Sequence, residues 1–468
     1  MSVLQMSLRE VSLALTDREI SSAELMDVVL DRAEEVGTKL NAFLHIDRSA
    51  ACAAARVADA DRFAGRIKGP LHGVPMAHKD MFFRAGVRSS CGSAIPMPLA
   101  DRTATVLSRL DAAGAIQFGV LNMAEFAVGG SGHNKTFGHC RNPWNAERIS
   151  GGSSSGSAAS VAARANFAAL GSDTGGSIRT PASVCGITGL RPSFGRVSRA
   201  GVMGLSSTLD TVGPLARTAY DCAMVMNAIA GIDADDPTTA AAFSTDFLHG
   251  IDDSIRGLRI GVPTNYYSDA VDPAISHILD ESLRVLQELN CVVTPIELPD
   301  VKAIDAAAAI VFASEGAALH AAQLRAHGEM YSEQVVARLE RGFVIPAPTY
   351  LNAVRYRAVA AKEFLQRVFS QVDVIHIPVL PIPTPTITET DVRDGDKIDD
   401  MLGKLVGLTR PISYLGFPAL SVPAGFTEDG MPVGMQLVGR PNAEATLLRI
   451  GHSFQGATDW HKRAPNIL

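Results

Sequence analysis

The 468-residue chain holds little cysteine, few aromatics and no long unbroken apolar run. Its six cysteines, Cys52, Cys91, Cys140, Cys185, Cys222 and Cys291, include no CxxC pair. That spacing supports neither a disulfide framework nor a zinc site and reads as reduced, buried thiols. The twelve histidines are as dispersed, with no HExxH or HxH spacing to place two ligands on one face, so no metal or other cofactor is expected. A formal net charge of −7 leaves no broad basic surface to neutralise phosphates, which argues against a nucleic-acid partner. No stretch approaches 18 apolar residues, and residues 1–10 lack a basic segment leading into an apolar one. The expectation is a cytoplasmic protein with no membrane partner.

Charge is sparse at 19%, against 47% hydrophobic residues, so the chain can bury a large core and is not disordered. Its length admits two or three domains or one large α/β domain. Ser7-x-x-Glu10 and Ser21-x-x-Glu24 are capping-box patterns that predict two helices in the first forty residues. Short apolar runs between glycine-rich turns, as at residues 115–121, 258–263, 372–378, 419–424 and 435–438, predict buried strands of an α/β sheet. A helix is expected over residues 273–289. The polar stretch 233–239 is no proven boundary, and the expectation is one domain over 1–468: N-terminal helices to about residue 64, a core over about 65–215, and a C-terminal half over 216–468 that completes the sheet. Residues 378–385, PVLPIPTP, read as a proline-rich surface loop.

The most unusual stretch is residues 150–182, SGGSSSGSAASVAARANFAALGSDTGGSIRTPA, where two Gly-Gly-Ser elements flank small residues. Glycine pairs let the backbone take φ > 0 and approach a ligand closely, and a serine beside them can present its hydroxyl among converging N–H groups. That is what an oxyanion hole requires. A phosphate loop would need GxxxxGK[ST], and no lysine follows here. A flexible linker would not enclose residues 157–170, which read as an alanine-rich buried helix. The pattern favours a nucleophile over a linker or ligand loop without excluding them. A serine needs a base. No histidine is adjacent and the GxSxG elbow is absent, so the base comes from elsewhere. Lysine is scarce beside arginine, and Lys79 alone sits in an apolar strand-like run, residues 71–83, LHGVPMAHKDMFF. Desolvation there lowers an amine's proton affinity and lets it act as a base. An ion pair with the neighbouring Asp80 is the competing reading.

GVPMAHKD at 73–80, GGSSSGSAASVAA at 151–163 and GSDTGGSIRTPASVCGITGLRPSFGRVS at 171–198 together resemble the amidase signature family. GVLNMAEF at 119–126, RNPWN at 141–145, SSTLDTVGP at 206–214 and DGMPVGMQLVG at 429–439 extend the resemblance over nearly the whole chain. It implies one large mixed β-sheet covered by helices on both faces and a Ser–cis-Ser–Lys triad. Ser177 matches the nucleophile, Ser153 the bridging serine after a cis Gly152–Ser153 peptide, and Lys79 the base. The backbone of Thr174, Gly175, Gly176 and Ser177 matches the oxyanion hole, with Asp173, Arg179 and Ser154 in support; Arg179 reading a substrate carboxylate is a second role weighed for it.

The resemblance further implies hydrolysis of a carbon–nitrogen amide bond through an acyl-Ser177 intermediate, with a small-molecule amide as partner and a homodimer admitted. The substrate pocket is expected along residues 125–133, with Met123, Phe126, Gly129, Gly130, Ser131 and His133, and along residues 312–331, with His320 and Arg325 as further candidates. Two departures stand out. Ser155 replaces a usual glycine, and Ala124 replaces an aspartate common in the tRNA-dependent amidotransferases of the family. The second weakens, without removing, the alternative that the chain is the glutaminase subunit of such a complex. Carboxybiuret-type ureide, carbamate and ester hydrolysis use the same triad, and a non-catalytic binding protein is the remaining class.

Overall fold

The computed structural model describes residues 2–392 and 395–466. Both capping boxes form, opening the helices Leu8–Thr16 and Ser22–Leu40. The second buries Leu25, Met26, Val29, Leu30, Ala33 and Val36, the three-and-four spacing that turns one helix face to a core.

Eleven strands form one sheet: β1 Phe43–Ile46, β2 Pro75–Lys79, β3 Ile116–Leu121, β4 Ala168–Asp173, β5 Thr188–Arg191, β6 Thr211–Ala216, β7 Arg259–Pro263, β8 Val292–Ile296, β9 Val374–Pro378, β10 Ala419–Phe426 and β11 Pro432–Gly439. Their order is β1-β3-β2-β4-β6-β5-β10-β11-β9-β7-β8. The sheet is mixed: β2 runs parallel to β3 and β4, and β7 to β8 and β9, while the pairs from β4 through β6, β5, β10 and β11 to β9 are antiparallel. Every residue of β2, β4, β5, β6, β9 and β11 is buried. Since successive side chains point to opposite faces, burial without alternation means that layers cover both faces.

Two expectations change. The helix expected over residues 157–170 runs only Ser155–Ala162. Arg164 then turns left-handed at φ 61°, its guanidinium donating to the carbonyls of His461, Lys462 and Arg463, and residues 168–173 become β4, paired in full register with β6. Alanine's helix preference yields there to the ladder. Residues 378–385 are no surface loop: Val379, Leu380 and Thr384 are buried. Their carbonyls are taken from outside, by Asp272 N at Pro381, Ile149 N at Pro385 and Gln436 Nε2 at Pro378, which is what lets a proline-rich segment go inside.

The stretch 301–330 is, by length and composition alone, apolar enough to cross a membrane, and half of its apolar 18-residue window is buried. Its helix, Val301–His327, packs against the helices Ala347–Arg367 and Arg410–Leu415.

Gly213 on β6 shows how tightly the central strands fit. A Cβ there would stand 2.2 Å from the Leu190 carbonyl oxygen and 2.9 Å from Pro192 Cδ. Gly213→Ala should therefore destabilise the fold by about 1–3 kcal/mol or more, read as a lowered denaturation midpoint at unchanged slope.

Candidate functional site

The adjacent parallel strands β2 and β4 end at Lys79 and Asp173. Lys79 is wholly buried. Its Nζ donates to Ser153 Oγ at 2.7 Å, Ser172 Oγ at 2.9 Å and Ser154 Oγ at 3.3 Å. Burial lowers its pKa from the ordinary lysine value to about 7, against the opposing pull of Asp210 and Asp173. The competing ion pair with Asp80 does not form. Asp80 accepts from the Ser90 amide and hydroxyl and the Gly92 amide instead.

Ser153 and Ser154 precede the helix Ser155–Ala162, and the Gly152–Ser153 peptide is cis. This turn is held by backbone bonds, Gly152 N to the Gly130 carbonyl at 2.7 Å and Ala124 N to the Ser153 carbonyl at 3.1 Å. Only glycine fits at 152, because a Cβ would lie 2.3 Å from the Gly129 oxygen. Ser155 simply opens the helix and is not left-handed, so replacing the usual glycine introduces no backbone conflict. Ala124 is buried beside Gly129.

Beyond β4, residues 174–178 form a loop before the helix Arg179–Cys185. The Asp173 carboxylate shapes it from behind, accepting from Gly176 N at 2.9 Å and Ile178 N at 3.2 Å. It also accepts from Arg179 through Nε at 3.0 Å and Nη2 at 2.9 Å, from Arg191 Nη1 at 3.2 Å and from Ser413 Oγ at 3.1 Å. Asp173, Arg179 and Arg191 are all fully buried. Burial pushes the Asp173 carboxyl up, but the two guanidiniums outweigh it and hold the group well below the usual carboxylate range. Arg179 donates further to the Thr409 carbonyl, Gln436 and Ser413. It therefore braces the loop and is not turned to a substrate carboxylate. Gly176, at φ 138°, has Thr409 Oγ1 2.2 Å from where its Cβ would be, and that hydroxyl donates to the Gly175 carbonyl at 2.6 Å.

A cavity of about 470 Å³ opens on this loop at Thr174, Gly175 and Ser177. Of the residues expected in its wall, Gly129 and Gly130 are there. Ser131 and His133 line a neighbouring cavity of about 390 Å³ instead, where the His133 ring bonds His139 and Thr390. Met123 and Phe126 are buried and outside the wall. Phe126 packs on His320 and Tyr331, so His320 is a core residue bonded to the Tyr331 hydroxyl at 3.0 Å, and Arg325 is exposed. The far wall comes from Ala309, Ile310, Phe312 and Ala313, with Ile345 and Val406. Arg338, Arg341 and Arg410 add three guanidiniums, that of Arg410 paired bidentately with Asp305. Except for Phe312 and Ala313, which fall in the 312–331 stretch, these went unmarked in the sequence, as did Ser172 and Asp210. Ser172 carried a signal, lying in the GSDTGGS motif one strand over from Lys79. A larger groove, about 820 Å³ along β2 and β3, holds neither Ser153 nor Ser177 and is not the site.

The amidase family model matches residues 24–448. The chain belongs to the amidase family. The A subunit of the glutamyl-tRNA(Gln) amidotransferase of Pseudomonas syringae pv. syringae is 39% identical over 98% of this chain and 99% of its own. Among solved structures, a chain from a vestigial complex described as revealing the origins of an s-triazine catabolic enzyme superposes with TM-score 0.89 at 34% identity, covering 96% of this chain and 98% of that one. The corresponding A subunit from Thermotoga maritima does so with TM-score 0.80 at 31% identity, covering 97% and 95%. Amidase-signature enzymes are hydrolases of carbon–nitrogen bonds, and this chain is one of them.

Removing a guanidinium from Asp173 should be costly, since it strands a buried charge. Arg179→Met is expected to lose about 3–5 kcal/mol of stability, read by thermal and denaturant unfolding.

Proposed function

We propose that this amidase cleaves its substrate through an acyl-enzyme on Ser177, with Lys79 as base and Ser153 carrying the proton between them. The observation that supports this best is the 2.7 Å bond from a wholly buried Lys79 Nζ to Ser153 Oγ, with the amine titrating near neutrality. A lysine so placed is neutral in a substantial fraction at working pH and can accept a proton.

In this reading the Ser177 hydroxyl oxygen attacks the amide carbon while its proton passes through Ser153 to Lys79. The new C–O bond leaves an oxyanion facing the amides of residues 174–177, where each donor is worth about 2.7–4 kcal/mol. As the C–N bond breaks, the proton returns through Ser153 to the departing nitrogen. Water then attacks the acyl carbon by the same relay and releases the carboxylate.

The substrate read from the cavity is a small amide whose acyl group meets an apolar wall, with the guanidiniums of Arg338, Arg341 and Arg410 also in the lining. A second reading, the glutaminase component of a tRNA-dependent amidotransferase, is favoured by the 39% identity to the Pseudomonas syringae relative over nearly the full length of both chains. Against it, among the described residues no carboxylate lines the cavity to receive the ammonium of free glutamine.

Ammonia release from glutamine and from apolar primary amides, measured on the isolated chain, separates the two. Turnover of an apolar amide supports the amidase. Turnover of glutamine alone, or only after a partner chain is added, supports the amidotransferase component.

Ser177→Ala should abolish acyl-enzyme formation, seen as loss of covalent fluorophosphonate labelling, with the melting temperature unchanged. Full turnover in that variant would remove Ser177 from the chemistry. With the Lys79 pKa at about 7, the base is cationic below that pH and neutral above it. The rate of Ser177 acylation should rise through neutrality and level off in the alkaline range; a flat profile from pH 6 to 9 contradicts a lysine base.

A further inference from the structure

We propose that Asp210 is a positioning residue that couples the base to the oxyanion loop, one carboxylate pinning Thr174 while its negative charge faces the Lys79 ammonium. The inference rests on the acyl-Ser177 reading and deepens it.

Asp210 lies in the SSTLDTVGP stretch at 206–214, to which the sequence assigned no role. It stands just before β6, whose first residue, Thr211, pairs with Asp173 at the end of β4. That register sets the Asp210 side chain beside the loop. Its Oδ1 accepts from Thr174 Oγ1 at 2.6 Å, and its Oδ2 accepts from Leu205 N at 2.8 Å and Ser206 N at 2.9 Å. All three donors are neutral.

The contrast with Asp173 decides the assignment. Asp173 is bonded to two guanidiniums, so its charge is largely cancelled where it stands. Among the described residues Asp210 makes no ion pair, and the guanidinium of Arg199, which acts on it from further off, lies 3.7 Å from Asp236. A second opening converges on the same place. A crevice of about 360 Å³, separate from the cavity at Ser177, is lined by both Asp210 and Ser172, and Ser172 is one of the three acceptors of the lysine Nζ.

The other groups that face Lys79 add little charge. The Cys91 thiol is pushed well above its usual range by burial and stays neutral. Asp80 is turned to Ser90 and Gly92. Of the two carboxylates whose fields oppose the desolvation of Lys79, Asp210 thus contributes more than the guanidinium-paired Asp173. Without it, burial would drive the amine further toward a weakly basic form. The same carboxylate fixes a residue that lines the oxyanion side of the cavity, so proton affinity of the base and placement of the loop share one anchor.

The test is the pH dependence of fluorophosphonate labelling of Ser177 in the full chain, a readout that needs no knowledge of the natural amide. Asp210→Asn should move the acidic limb down by about one pH unit and lower the plateau. Thr174→Val, which removes the pinned hydroxyl and keeps the charge, should lower the plateau with the limb in place. Should the Asn variant not fold, Asp210→Ser, smaller and reached by solvent through the crevice, carries the same expectation. A labelled wild type with an unmoved limb in the Asp210 variant overturns this inference alone, as does an equal limb shift in Thr174→Val. An unlabelled wild type overturns the acyl-Ser177 reading and this one with it.

Discussion

The structure depends on a carboxylate held in the protein interior with two arginines. Asp173, Arg179 and Arg191 share no solvent, and a buried charge is stabilised where it is paired and hydrogen-bonded. Apart from Arg191 Nε, which has no hydrogen-bond partner, the remaining donors recruit the rest of the chain. Arg191, the last residue of β5, reaches the carbonyls of Leu209 and Ser413. Arg179 reaches Gln436 on β11 and the Thr409 carbonyl. One anion therefore ties β4, β5 and β11 to the helix Arg410–Leu415, and its two oxygens order the loop that presents Ser177 by taking the amides of residues 176 and 178. The loop's shape is a consequence of charge compensation behind it.

The same interior holds a cation under the opposite condition. Lys79 has hydroxyl acceptors in place of a carboxylate partner, and this difference separates a structural charge from a titrating one. A guanidinium stays charged in any protein environment, whereas an ammonium gives up its proton when desolvation is left uncompensated. Arginine beside Asp173 thus makes a fixed brace. Lysine among Ser153, Ser154 and Ser172 makes a group that can change its charge near neutral pH.

The parts of this arrangement that were legible in the sequence are those set by near neighbours. Both capping boxes lay three residues apart and formed as written. Lys79 stood out because its flanks are apolar. The rival pairing with Asp80 fails for a local reason as well, since consecutive residues at a strand end point to opposite faces. Less legible was whatever depends on distant pairing. Residues 168–170 look like the tail of an alanine-rich helix until β6 is there to pair with them. The segment 378–385 looks exposed until donors from residues 149 and 272 arrive. His320, polar in the sequence, packs edge-on against Phe126 from almost two hundred residues earlier.

The cavity wall follows a different logic from the bonded site and explains why the residues around Asp173 and Lys79 stood out in the sequence while most of the wall did not. Each group around Asp173 and Lys79 is held by hydrogen bonds to several others, so its residue type is constrained from many sides. The wall opposite Ser177 is built from Ala309, Ile310, Ala313 and Val406, residues that meet the cavity through apolar contact alone. Such positions accept changes in volume at modest cost as long as they stay hydrophobic. The approach is already close at Gly130, where a Cβ would lie 3.0 Å from Val406 Cγ1, so a single methyl on either side alters the space left for an acyl group. Side-chain volume can therefore vary in the helix Val301–His327 and the segment before Arg410 while the bonds that hold Lys79, Ser153 and the loop of Ser177 stay intact.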